Sequence, residues 1–179
     1  MALLYHIAPT EVIDSELYPL NMMKGLSFPL YQRYVSKYEG RTEVMERRIP
    51  FLDCLWNDVV FFSDVHPRLI RQAYLAVGKA WNTRQWYAID TARAGFSATN
   101  AVIYLPDMKR ERGDFRLDPK QFLPFSPNAL PDIQELPEPT LTYYRDCVEK
   151  GLPVFAWRGL PHVLYRGSVP LRDIIIMEI

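Results

Sequence analysis

Apolar residues along this chain follow two rhythms: short continuous runs that suit strands, and helical repeats bounded by proline and glycine. Leu3 to Ile7 reads as a short strand that ends before Pro9. Residues 29–39 read as a helix. Pro29 suits its first position, Leu30, Tyr34, Val35 and Tyr38 recur at helical spacing, and Gly40 suits its end. A second short helix is expected from Thr42, a good N-cap followed by Glu43. Val59-Val60-Phe61-Phe62 is a β-favouring run with no polar alternation, which predicts a buried strand. Pro67 then opens a helix with Leu69, Ile70, Ala73, Tyr74 and Val77 on one face and Gly78 at its end. Trp86 to Ile89 and Ala101 to Leu105 give two further strands, candidate neighbours in one sheet.

The texture changes near residue 106. Residues 106–138 begin charged (MKRERGD) and continue with Pro119, Pro124, Pro127, Pro131 and Pro137 among aromatics, without a usable period. A structureless stretch of about 30 residues is uncommon inside a compact domain and is usually a functional cover, or else evidence against the assignment. Phe115, Phe122, Leu123 and Phe125 imply that it packs down and is not a free linker. Pro139 to Lys150 reads as a helix closed by Gly151 and Pro153. Two last strands are expected around His162 to Tyr165 and Asp173 to Ile179, with Ile174-Ile175-Ile176 tying the C-terminus into a sheet.

Length and charge narrow the picture. With 179 residues, 49% of them hydrophobic, the chain can bury one substantial core, so a single domain over 1–179 is expected. Lys plus Arg equals Asp plus Glu at 21 each, which argues against bulk nucleic-acid binding or attraction to an anionic membrane. The opening MALLYHIAPTEV lacks a basic n-region and an apolar h-region, and no stretch approaches the roughly 20 apolar residues of a membrane span. Cys54 and Cys147 form no C-x-x-C pair, so neither a disulfide framework nor a thiolate zinc site is expected, and a cytoplasmic location fits.

The candidate chemistry is sparse. Val59 to His66 ends in Asp64-Val65-His66, a D-x-H after a buried strand, which is similar to the opening motif of the metallophosphoesterases, where Asp and His hold metal. The later Gly-Asp, Gly-Asn-His and Gly-His-x-His ligand segments are missing, and Asp64 or Ser63 capping the Pro67 helix explains the same residues. No metal is therefore expected. G-x-S-x-G, the P-loop and G-x-G-x-x-G are absent as well, with eight glycines in all. Asp53-Cys54-Leu55-Trp56-Asn57-Asp58 places Trp, Asn and two acids before the buried strand, so Trp56 either packs inward or lines a pocket.

Three pieces, taken in order, resemble the skeleton of the ADP-ribosyltransferase-like proteins. Leu4-Tyr5-His6-Ile7 is similar to the first-strand Tyr-His of the poly(ADP-ribose) polymerase and DarT-like branches. Val60-Phe61-Phe62-Ser63-Asp64, followed by the helix bearing Tyr74, is similar to the strand and helix that in the polymerases carry a nicotinamide-stacking Tyr. His162-Val163-Leu164-Tyr165, then Ser168 to Ile174, is similar to the closing Glu-aliphatic-aliphatic strand and its successor.

The resemblance implies an α+β fold with a split, mostly antiparallel sheet and three to four packed helices. It further implies NAD as ligand or substrate, recognised in a cleft between the split sheets. His6 and His162 would take the catalytic positions, and Tyr5, Phe61, Ser63 and Tyr74 would bind the cofactor. His162 stands where active members carry a catalytic Glu, and imidazole cannot supply that negative charge. Either the strands are offset, or Glu178 or Asp173 serves, or the chain binds without transfer. Some branches that act on phosphorylated RNA use basic residues instead. The expected function is thus recognition of NAD or ADP-ribose, with ADP-ribosyl transfer as its active form. Its alternative is a non-enzymatic module whose aromatic, proline-rich 115–139 segment docks a partner protein. A metal-dependent phosphoesterase comes third.

Overall fold

Among the described residues, two antiparallel sheets are joined by one isolated backbone bridge, between Tyr5 and Ser63. The protein is described here by a computed structural model covering residues 2–108, 117–172 and 174–179. Its strands are β1 (Leu3–Ile7), β2 (Glu16–Leu17), β3 (Arg48–Ile49), β4 (Cys54–Leu55), β5 (Val59–Phe62) and β6 (Gln85–Asp90) in the first half. β7 (Ala101–Tyr104), β8 (Phe122–Pro124), β9 (His162–Arg166), β10 (Val169–Pro170) and β11 (Ile175–Glu178) follow. The helices are α1 (Leu20–Leu26), α2 (Phe28–Val35), α3 (Pro67–Ala76) and α4 (Glu138–Glu149). The architecture is α+β.

One sheet has the order β1-β6-β11 and the other β5-β9-β7-β8, with β2–β10 and β3–β4 as two small pairs. Leu4 faces Ile89 and Ile175 faces Ala88 in the first sheet; Phe61 faces Leu164 and Tyr104 faces His162 in the second. β5 explains its own sequence. Alternate residues of a strand point to opposite faces. Val60 and Phe62 pack with Leu4, Ile89 and Val163, while Val59 packs with Val102, Tyr104 and Leu164 and Phe61 lies against that second cluster. Both faces are covered, so no polar alternation is needed. Burying a side chain such as Phe62 stabilises by roughly 1.5–3 kcal/mol.

β6 and β7 are not neighbours, contrary to expectation. The segment between them crosses from one sheet to the other: Thr91 N–H donates to the Ala2 carbonyl beside β1, and the Asn100 carbonyl accepts from Arg166 N–H on β9. The α3 cap also differs from expectation. His66, not Asp64 or Ser63, holds the N-terminus, its Nδ1 accepting from Arg68 N–H at 3.1 Å. Gly78 follows that helix at φ +75°, where a residue without Cβ is needed. α2 stops at Val35 and continues as a tight turn through Tyr38, and the element from Thr42 is a single turn, Thr42–Val44.

Of the proline-rich 106–138 stretch, residues 109–116 lie outside the described ones, Phe115 among them. In the described part, Pro106 and Asp107 line the cavity described below, and the residues from 117 onward pack into the fold. Phe122–Pro124 forms the edge strand β8 against β7, and Phe122, Phe125 and Leu136 are buried in three separate clusters. Of the apolar residues in that segment, Phe122 and Phe125 are thus in the core, while Leu123 stays 40% exposed. β11 ties the C-terminus to β6, and Ile179 is buried beside Trp86. Among the described residues no helix is long and apolar enough to cross a membrane.

Candidate functional site

The Tyr5–Ser63 junction positions the site. Tyr5 N–H donates to the Ser63 carbonyl at 2.7 Å and Ser63 N–H to the Tyr5 carbonyl at 3.0 Å. The Ser63 hydroxyl donates to the Pro161 carbonyl at 3.2 Å and accepts from Val65 N–H at 3.1 Å. One serine therefore joins the strand carrying His6 to the residue before His162. Its hydroxyl is committed within the protein and serves the geometry more than a ligand.

A cavity of about 770 Å³ opens beside this junction. Tyr5, His6, Phe61, Ser63 and His162 all line it. Tyr74 does not come to it. Tyr74 is buried between α3 and α4, edge-on to Trp81 and Tyr144, with its hydroxyl donating to the Val154 carbonyl at 3.3 Å. Burial pushes its phenol up to about 12. Helical spacing had placed Tyr74 on the buried face correctly, yet that face looks into the helical layer and away from the cavity.

One wall is a run of rings. Phe61 lies 4.9 Å from Trp56, Trp56 6.0 Å from Tyr104, Tyr104 6.2 Å from His162, and His162 6.2 Å from Trp157. Trp157 is delivered by the loop before β9, where Gly159 sits at φ +72° and a Cβ would overlap the Met108 side chain. Such a wall suits a flat ligand.

A further part of the lining comes from residues that the sequence had not marked as a site. Lys37, Tyr38 and Arg41 line the cavity beyond α2. Lys37 and Arg41 stand over the Tyr38 ring at 5.1 and 5.9 Å, and the Arg41 guanidinium is steered by two hydrogen bonds to the Lys37 carbonyl. Burial, aided by the Arg41 charge, holds the Lys37 ammonium below the usual lysine range. Arg47, over the Trp56 ring at 5.6 Å, and Arg158 add further cations. A phenol between two cations at i and i+4 was the available signal. Charged positions on a short helix read first as a solvated face.

Both histidines are neutral at pH 7. Burial lowers His6 to about 4, opposed by its hydrogen bond to the Ile7 carbonyl and aided by the Lys37 charge. His6 Nδ1–H donates to that carbonyl at 2.6 Å, which leaves Nε2 as an acceptor. Burial also lowers His162 to about 4, with the Leu160 carbonyl pulling the other way, and its Nδ1 is buried without a hydrogen bond. Among the described residues, the carboxylates on the cavity are Glu11, Glu16 and Asp107. Glu178 is exposed on β11 opposite Gln85 and is not part of the lining, while Asp173 lies outside the described residues.

The D-x-H pair stands apart. His66 uses Nδ1 to cap α3, and Asp64, raised to about 6 by burial, has both oxygens buried without a hydrogen bond. Among the described residues no group of three or more His, Cys, Asp or Glu side chains could hold a metal ion. Compared with known proteins, the chain matches no family model, no curated protein and no solved structure.

Proposed function

We propose that the cavity beside the Tyr5–Ser63 junction binds NAD or ADP-ribose, with His6 and His162 in contact with the ligand. The observation that supports this most is the convergence on one cavity of His6, Phe61 and His162 from three strands and of Ser63 just after β5. Its volume, about 770 Å³, is in the range of about 300–1,000 Å³ usual for small-ligand sites. The ring wall suits adenine or nicotinamide, and the Lys37–Arg41 side suits a pyrophosphate. Two mostly antiparallel sheets joined at one bridge are in keeping with the split sheet that the sequence resemblance implies.

Recognition is favoured over transfer. Loss of nicotinamide builds positive charge on the ribose, and a neutral imidazole at position 162 offers no compensating charge. A transferase would draw its carboxylate from Glu11, Glu16 or Asp107.

A thermal-shift series with NAD, ADP-ribose and nicotinamide tests the reading. A ligand at about 100 times its Kd stabilises the native state by roughly 2.7 kcal/mol, a shift of several degrees. Absence of any shift with millimolar NAD and ADP-ribose would overturn it.

A further inference from the structure

The turn Trp56–Asp58, between β4 and β5, is a fixed part of the cavity wall. The Asp58 carboxylate accepts from Leu55 N–H at 2.7 Å and from Asn21 Nδ2 at 2.7 Å, which ties the turn to α1. Trp56 is held by Phe61 and Tyr104. Between these anchors sits Asn57, only 2% exposed and lining the cavity. Its Nδ2 is buried without a hydrogen bond. A buried amide left unmatched is costly, and a rigid turn gives it no means to swing out to solvent.

An unmatched amide beside a stacking surface is complementary to one kind of group: a planar edge carrying a donor and an acceptor side by side. Adenine presents such an edge at its amino group and N7, and asparagine meets it with two parallel hydrogen bonds. A carboxamide presents the same pair. Building on the nucleotide reading of this cavity, we infer that Asn57 is the specificity-determining residue, which reads the donor–acceptor edge of the ligand's flat ring.

Titration calorimetry of the full chain tests this with four ligands: NAD, ADP-ribose, its hypoxanthine analogue, and the NAD analogue carrying a carboxylic acid in place of the carboxamide. Hypoxanthine has an acceptor where adenine has the amino donor. If Asn57 reads adenine, the parent should prefer ADP-ribose over the hypoxanthine analogue by about tenfold or more. Asn57→Leu, which keeps the branched shape and removes the amide, should lose that preference and weaken ADP-ribose by a similar factor. If Asn57 reads the carboxamide, the discrimination and its loss should appear instead between NAD and the acid analogue. Asn57→Leu should keep or raise Tm, so lost binding cannot be blamed on lost folding; Asn57→Ala gives a second variant should the larger side chain block the cavity. Variants that match the parent on all four ligands would overturn the role of Asn57 and leave the nucleotide reading standing. A parent that binds none of the four would overturn both.

Discussion

Tyr5 and Ser63 exchange both of their backbone hydrogen bonds, at 2.7 and 3.0 Å, and this one pair joins a three-stranded sheet to a four-stranded one. The Ser63 hydroxyl extends the join to Pro161, so the strand bearing His6 and the strand bearing His162 share one fixed point. Replacing Ser63 by Ala leaves Val65 N–H and the Pro161 carbonyl short of a partner in a buried setting. A loss of about 1–3 kcal/mol is expected in urea unfolding. A change below about 0.5 kcal/mol would mean that the backbone pair holds the sheets without the hydroxyl.

The two histidines make stability depend on pH. Their folded values near 4 lie below the unfolded 6.5, so between these values the unfolded chain binds more protons and stability falls as pH falls. Their contribution is complete above pH 6.5 and is lost as pH drops through about 4. The scale is on the order of 2 kcal/mol per ring, reduced from the full shift because both rings retain some contact with cavity solvent. Urea midpoints from pH 7 to pH 4 should fall less steeply in His6→Gln and in His162→Gln than in the parent. Parallel curves would contradict the assignment.

Asp64 works in the opposite direction. Its carboxyl is raised from 3.8 to about 6, so its contribution is complete below pH 3.8 and is lost as pH rises through about 6. Asp64→Asn should therefore stabilise by on the order of 1–3 kcal/mol at pH 8 and change little at pH 3.5. An equal effect at both pH values would assign it to packing and not to the buried charge.

The C-terminal strand offers a contrast between two isoleucines. Ile179 is 7% exposed among Trp86, Ala88 and Tyr5, whereas Ile176 is 59% exposed on the same strand end. Ile179→Ala should cost about 2 kcal/mol or more, and Ile176→Ala no more than about 0.5 kcal/mol. Similar losses at both positions would show that the C-terminus is packed differently.

The legible parts of this fold were those where burial leaves a one-dimensional trace. β5 reads as a strand because both its faces are covered, and α3 because Pro67 and Gly78 bracket an apolar face. The neighbour relation of β6 and β7 was misread, because strand order depends on hydrogen bonds from Thr91 and Asn100 that no local pattern reveals. Of the residues that the family resemblance singled out, Tyr5, His6, Phe61, Ser63 and His162 line one cavity and Tyr74 does not. Periodicity tells which face of a helix is buried and not what it faces. The Lys37–Arg41 wall and Asn57 escaped for a related reason. A charge on a short helix looks solvated until a cavity is seen beside it, and an amide in a turn looks like turn chemistry until its nitrogen is found without a partner.

The central proposal is that one cavity, between β1, β5 and β9, holds ADP-ribose or NAD. A crystal structure of the chain grown with saturating ADP-ribose tests this most directly. Ligand density is expected inside that cavity, with a ring along the Phe61–Trp56–Tyr104 wall, the pyrophosphate toward Lys37 and Arg41, and polar contacts from His6, Asn57 and His162. Density elsewhere on the surface, or an empty cavity in crystals where it is open to solvent, would contradict it.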